Sequence, residues 1–152
     1  MEAPARRRSG LILLDAYAVV ALALDERAAA EVEPIVRSHP TAVTATNYLE
    51  TTERLMRLGG WSPDETARRM AVLLDGGADV RRVDADVAWR GALLRARHYD
   101  RQTCGLSLAD CVLLASADPG DAIATADPAV AAVARAEGIG LVPLPDSSGQ
   151  RP

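Results

Sequence analysis

The pattern of apolar and polar residues changes abruptly at Asp15. The segment Leu11 to Leu14 is apolar without alternation, and Ala16 to Leu24 continues with the spacing of a helix. A strand that is apolar throughout is typical of the interior of a parallel sheet, where helices cover both faces. The pattern therefore predicts a central strand at 11–14. It places Asp15 at the carboxyl end of that strand, where open α/β sheets bind their ligands.

The rest of the chain alternates predicted strands and helices. Further strands are predicted at 41–44, 80–83, 122–125 and 140–144, and helices at 16–24, 27–37, 47–58, 62–75, 84–99, 107–117 and 128–137. The connections are too long for hairpins, so this order predicts a single layered α/β domain, with a mostly parallel central sheet and helices on both faces. Charged residues in the third strand and a proline in the fifth predict edge positions for both.

The predicted domain covers 11–144. A disordered basic N-terminus, 1–10, precedes it, and a flexible polar tail, 145–152, follows it. No apolar run reaches the roughly 18 residues that a membrane span needs. The N-terminus lacks a convincing signal cleavage site, which predicts a cytoplasmic protein.

Composition narrows the chemistry that the chain supports. The net charge of −4 does not favour general binding of nucleic acid by the whole surface. The 17 basic side chains are all arginine, so a lysine nucleophile and a phosphate-pairing lysine are both absent. This excludes a phosphorelay receiver. The segment after the first strand lacks the glycine fingerprint of a Rossmann enzyme.

Four carboxylates follow predicted strands or open predicted helices at one edge of the sheet. They are Asp15, Glu50, Asp110 and Asp127. Taken singly, each acid is explained by a capping role at a helix N-terminus: Asn47 to Glu50 and Ser107 to Asp110 have capping-box spacing, and Asp127 precedes a proline. As a set, four carboxylates in a chain without lysine describe a site of hard oxygen ligands, which Mg²⁺ prefers and Mn²⁺ also accepts.

Four short motifs around these acids resemble a known family. They are Leu13-Leu14-Asp15-Ala16, Asn47-Tyr48-Leu49-Glu50, Leu106-Ser107-Leu108-Ala109-Asp110 and Ala124-Thr125-Ala126-Asp127. In order and spacing they are similar to the motifs of PIN-domain ribonucleases, and most similar to those of the VapC toxins of bacterial type II toxin–antitoxin modules. The resemblance covers nearly the whole chain.

The resemblance implies a Mg²⁺-dependent endoribonuclease that hydrolyses RNA, with a sheet order of 3-2-1-4-5, a homodimeric assembly and a cognate antitoxin as inhibitor. It maps the catalytic and metal-binding acids onto Asp15, Glu50, Asp110 and Asp127. Ser107, Thr125 and Asn47 are expected to orient these carboxylates. Arg54 and Arg57 are candidates for contacts with RNA phosphate, although an exposed helix face with Glu–Arg pairs explains them equally well.

Two expectations remain open at this point. A non-catalytic PIN-like module that binds RNA or protein is the alternative function. For the inhibited state, we expect a flexible antitoxin segment to cover apolar helix surface at 19–24 and 49–58. It would place an Arg or Lys beside Asp15 and Asp110, since a guanidinium pairs well with carboxylates.

Overall fold

A computed structural model of the chain describes residues 10–152, and within them five strands form one parallel sheet. The strands are β1 (Ile12–Leu14), β2 (Thr41–Thr44), β3 (Ala78–Arg81), β4 (Ala122–Thr125) and β5 (Gly140–Pro143). The helices are α1 (Ala16–Ala23), α2 (Ala29–Ser38), α3 (Ala45–Gly59), α4 (Pro63–Asp75), α5 (Ala85–His98), α6 (Leu108–Ala115) and α7 (Pro128–Ala136). The strand order is β3-β2-β1-β4-β5. Both the fold class and the strand order predicted from the sequence are confirmed.

The central strand supplies side chains to a core on each face of the sheet. Ile12 and Leu14 pack into one apolar cluster, together with residues of α1 to α4. Leu13 packs into the other, which is formed mainly by α6 and α7. Because both faces of β1 are covered, its uninterrupted apolar sequence is explained. The predicted edge strands β3 and β5 do lie at the two edges.

Several predicted boundaries differ from the observed ones by two residues, and a glycine turn and a helix cap explain the earlier starts of β3 and α3. Strand β3 begins at Ala78 instead of Val80, since Gly77 turns the chain directly before it with a φ of 103°. Helix α3 begins at Ala45 because Thr44 is its N-cap, and the Thr44 hydroxyl accepts from the backbone N–H of Asn47. Asn47 is thus inside the first turn. It does not open a capping box with Glu50.

The structure describes the C-terminal tail of the chain but only the last residue of the predicted N-terminal segment. Apart from Gly10, the predicted disordered N-terminus lies outside the described residues. The predicted flexible tail contacts the domain: the Tyr17 hydroxyl donates to the carbonyl of Pro145 over 2.9 Å, and Arg151 donates to Glu31 over 2.9 Å and to the Pro143 carbonyl over 2.7 Å. Within 10–152, no helix has the length and apolar character that crossing a bilayer requires.

Candidate active site

Strands β1 and β4 are adjacent, and their carboxyl ends bring Asp15 and Thr125 together. The Thr125 hydroxyl donates to Oδ2 of Asp15 over 2.6 Å and accepts from the backbone N–H of Asp127 over 3.0 Å. Asp15 is only 7% exposed and, although it stands at the N-cap of α1, its side chain makes no capping hydrogen bond. The capping explanation therefore does not account for Asp15.

Burial makes the charged form of Asp15 unfavourable. Loss of solvation, together with smaller contributions from the negative charges of Asp110 and Glu50, raises the pKa of this carboxyl from 3.8 to about 6, against hydrogen bonds from Thr125 and the backbone of Ala16 that lower it. The contributions of Asp110 and Glu50 mean that these carboxylates lie near enough to repel Asp15. The chain thus keeps a buried acid beside two others, an arrangement that is common at functional sites.

Asp110 opens α6 in a complete capping box. The Ser107 hydroxyl accepts from the backbone N–H of Asp110 over 3.0 Å, and Oδ2 of Asp110 accepts from the backbone N–H of Ser107 over 2.7 Å. The box engages one carboxylate oxygen and leaves Oδ1 out of the cap. Asp110 therefore combines a structural role with a charge that acts on Asp15.

Glu50 points toward an arginine of its own helix. Its side chain is 40% exposed, and one oxygen lies 3.5 Å from the Arg54 guanidinium. Arg57 is paired with Glu53 at 2.6 Å, one turn away. The exposed Glu–Arg face predicted as an alternative is thus present. Of the two candidate arginines, Arg54 is the one that contacts a predicted site acid.

Asp127 joins the site indirectly. It is exposed and caps α7, where Oδ1 accepts from the backbone N–H groups of Ala129 over 2.7 Å and Val130 over 3.1 Å. Its connection to Asp15 runs through the Thr125 hydroxyl. The structure therefore brings Asp15, Asp110 and Glu50 together electrostatically, and it links Asp127 to Asp15 through the backbone N–H of Asp127 and the Thr125 hydroxyl.

Asn47 makes no side-chain hydrogen bond to these acids. It is 1% exposed and its Nδ2 has no partner. On α3 the buried positions are Asn47, Thr51 and Leu55, whereas Leu49 is 69% exposed beside Glu50. Leu108 is likewise 72% exposed, two residues before Asp110. Leu49 belongs to the exposed apolar segment expected at 49–58, whereas sequence reasoning missed Leu108, which begins α6.

The carboxylates do not form a ready-made cage for an ion. Among residues 10–152, no three His, Cys, Asp or Glu side chains are arranged to hold a metal. The donors are nevertheless carboxylate oxygens that converge on a buried acid, which is the donor type that Mg²⁺ and Mn²⁺ prefer. Asp15, Asp110 and Glu50 are the residues that could hold such an ion.

Solved structures of other proteins share this fold. VapBC2 from Rickettsia felis, bound to a DNA fragment from its promoter, matches with a TM-score of 0.64 at 11% identity, over 87% of this chain and 97% of that one. The sarcin-ricin loop cleaving toxin VapC20 of Mycobacterium tuberculosis matches with a TM-score of 0.56 at 21% identity, over 84% of each chain. FitAB bound to a DNA fragment matches with a TM-score of 0.57 at 21% identity, over 86% of this chain and 93% of that one.

Sequence comparisons assign the family. No curated protein matches the chain. The PIN domain family profile matches residues 12–136, which run from the first residue of β1 to the last residue of α7 and include all four predicted site acids. The chain therefore belongs to the PIN domain family.

Proposed function

We propose that this PIN domain is a metal-dependent endoribonuclease that hydrolyses RNA phosphodiesters, and that it is the toxin of a type II toxin–antitoxin module. One observation carries the proposal. A buried carboxylate, Asp15, stands at the carboxyl end of the central strand within electrostatic reach of Asp110 and Glu50. A fold does not determine a function, so the proposal depends on this group of acids within the PIN fold.

Each residue has a definable role in this proposal. Asp15 and Asp110 would hold a divalent ion directly, Glu50 directly or through water, and Asp127 would position water or a second ion. When bound, such an ion lowers the pKa of water and neutralises charge on the phosphodiester oxygens. Thr125 fixes the orientation of Asp15, and Ser107 fixes that of Asp110. Asn47 contributes no contact to the acids, so no orienting role is proposed for it.

RNA cleavage mapping with the purified protein tests this function. We expect cut sites that recur at one sequence or structural context and that require Mg²⁺ or Mn²⁺. The alternative, a non-catalytic module, predicts that RNA is bound and stays intact under the same conditions. RNA that binds to the protein but acquires no new 5′ ends would favour that alternative.

Millimolar Mg²⁺ is expected to raise the melting temperature of the protein. An ion that binds only the folded state stabilises by about 2.7 kcal/mol at a concentration 100 times its Kd, and for a domain of this size each kcal/mol is worth roughly 2–4 °C. The measurement is thermal unfolding with Mg²⁺ and with EDTA. The shift should be much smaller in Asp15→Asn. No shift in the wild type, or an equal shift in Asp15→Asn, contradicts a metal site at Asp15.

The antitoxin belongs to the same proposal. A groove of about 370 Å³ runs between α1, α2 and α4, and Val19, Leu22, Ala23, Met70 and Leu73 are among its lining residues. It includes part of the apolar surface expected at 19–24. Within the second expected segment, Leu49, Met56 and Leu58 are exposed. A toxin–antitoxin complex from Klebsiella pneumoniae shares this fold, which supports a cognate antitoxin that would occupy this groove.

A charge placed in the groove should weaken antitoxin binding. Val72 lines the groove and is 70% exposed, so we expect Val72→Asp to keep the fold. A buried carboxylate on an apolar contact should reduce the affinity at least about tenfold, because an unpaired charge is costly to desolvate. Co-purification and titration with the product of the adjacent gene measure this effect.

Trp89→Asp is the matched control for that measurement, because Trp89 is 67% exposed on α5, away from the groove. Equal losses of affinity in the two variants would rule out the groove as the antitoxin site.

A homodimeric assembly and a cytoplasmic location complete the proposal. Analytical ultracentrifugation and cell fractionation measure them.

A further inference from the structure

Asp15, Asp110 and Glu50 differ in the contacts that hold their side chains in place. Asp15 is held by the Thr125 hydroxyl at 2.6 Å, and Asp110 by the backbone N–H of Ser107 at 2.7 Å. Both contacts are hydrogen bonds with good distances and charged acceptors. Glu50 is more exposed, and its contact with Arg54 is longer, at 3.5 Å. Glu50 is therefore the acid whose side chain can change position at the lowest cost.

A change of position is required before three carboxylates can share one ion. The described residues contain no ligand group of three acidic, His or Cys side chains that is already formed. Moving Asp15 or Asp110 would break a charge-assisted hydrogen bond, and moving Asp110 would also disrupt the cap of α6. Moving Glu50 breaks only an exposed ion pair, and exposed pairs contribute little to stability.

We propose that Arg54 is a positioning residue that competes with the divalent ion for Glu50. In the metal-free protein Arg54 is the counter-ion of Glu50, and on loading Glu50 exchanges this guanidinium for the ion. The inference rests on the proposed function, because it requires an ion at Asp15 and Asp110. The guanidinium stays protonated at all physiological pH values, so the competition is always present.

The same helix supplies a matched control. Arg57 and Glu53 form an ion pair with the same i,i+4 spacing, at 2.6 Å. Glu50 is among the groups that raise the pKa of Asp15, whereas Glu53 is not. Removing the charge of Arg57 changes the net charge of the protein equally, yet releases an acid outside the site. Any difference between the two substitutions therefore reports on Glu50.

Calorimetric titration with Mg²⁺ alone, at constant ionic strength, tests the proposal. Arg54→Gln should bind Mg²⁺ about threefold to fivefold more tightly than the wild type, which is the upper range for the loss of one exposed ion pair. Arg57→Gln should stay within about twofold of the wild type, because screening reduces the effect of a distant exposed charge. Arg54→Lys, which keeps the charge, should lie close to the wild type.

A second background isolates the contact with Glu50. In Glu50→Gln the wild-type arginine has no carboxylate to hold, so adding Arg54→Gln should leave the Mg²⁺ affinity unchanged. Equal affinities of Arg54→Gln and Arg57→Gln, or an effect of Arg54→Gln that persists in Glu50→Gln, overturn the role of Arg54. Failure of the wild type to bind Mg²⁺ contradicts the proposed function itself, so the two failures are distinguishable.

Discussion

Asp110→Asn is expected to abolish RNA cleavage by a protein that remains folded. The amide oxygen of Asn keeps the acceptor that Oδ2 of Asp110 offers to the backbone N–H of Ser107, so the capping box survives. The negative charge that would hold the ion is lost. Loss of an outer-shell partner alone typically costs about 10- to 100-fold in activity, and loss of a direct ligand should exceed that range.

Stability measurements separate this result from damage to the helix. As a first-turn acid, Asp110 contributes only about 0.3–1 kcal/mol through the helix dipole. Ser107→Ala is the reciprocal variant. It removes the hydroxyl that accepts from the N–H of Asp110, costs roughly 1 kcal/mol as a lost cap, and keeps the carboxylate. We expect Ser107→Ala to retain cleavage. An Asp110→Asn protein that unfolds normally and still cleaves in Mg²⁺ would assign Asp110 to capping alone.

The second large effect concerns the stability of the metal-free protein. Asp15→Asn should raise its free energy of unfolding at pH 7 by up to about 3 kcal/mol, since a pKa of about 6 instead of 3.8 is worth roughly 1.4 kcal/mol per unit. The amide keeps an acceptor for the Thr125 hydroxyl and avoids burial of a charge. A substitution that removes the function is thus expected to stabilise the fold.

The raised pKa of Asp15 determines how the stability gained in Asp15→Asn changes with pH. Between pH 3.8 and about 6, folded Asp15 holds its proton more tightly than the unfolded chain does. The contribution of Asp15 to stability is therefore present in full below pH 3.8 and is lost as the pH rises through this window. The advantage of Asp15→Asn should vanish near pH 3.5 and reach its full size above pH 6, in EDTA.

Asp127→Asn is the control for the pH dependence. Asp127 is an exposed N-cap, and Asn caps about as well as Asp, so its stability difference should be small at every pH. Denaturant unfolding at several pH values measures both variants. An Asp15→Asn protein that is no more stable than the wild type at pH 7 would show that solvent or neighbouring groups offset the cost of burying the Asp15 charge.

The order of strands and helices follows from the sequence because its local signals agree. The apolar run before Asp15 predicts a strand buried on both faces, and the structure places Leu13 and Leu14 in opposite cores. The Ser-Pro-Asp-Glu start of α4 and the Ser107 cap of α6 are direct local signals, and both helices begin where these signals predict. Local signals do not predict that β1 pairs in parallel with β4, because this pairing depends on the order of all the strands. The family resemblance implied that order.

The arrangement of the site was less predictable. Spacing places four acids at one edge of the sheet, but it does not indicate that Asp15 is buried while Asp127 is exposed. Spacing also predicts Asn47 as the N-cap of α3, whereas Thr44 is the N-cap in the structure. A threonine that ends a strand can equally cap the next helix. Side-chain choices such as the contact of Glu50 with Arg54 depend on rotamers, which residue order does not specify.

Single-turnover cleavage of a labelled RNA by the purified protein tests the central claim most directly. The account predicts cleavage by the wild type in Mg²⁺, none after chelation with EDTA, recovery when Mg²⁺ is restored, and none by a folded Asp110→Asn protein. Cleavage that continues in EDTA, or that Asp110→Asn performs at the wild-type rate, would contradict a metal-dependent nuclease site at these carboxylates.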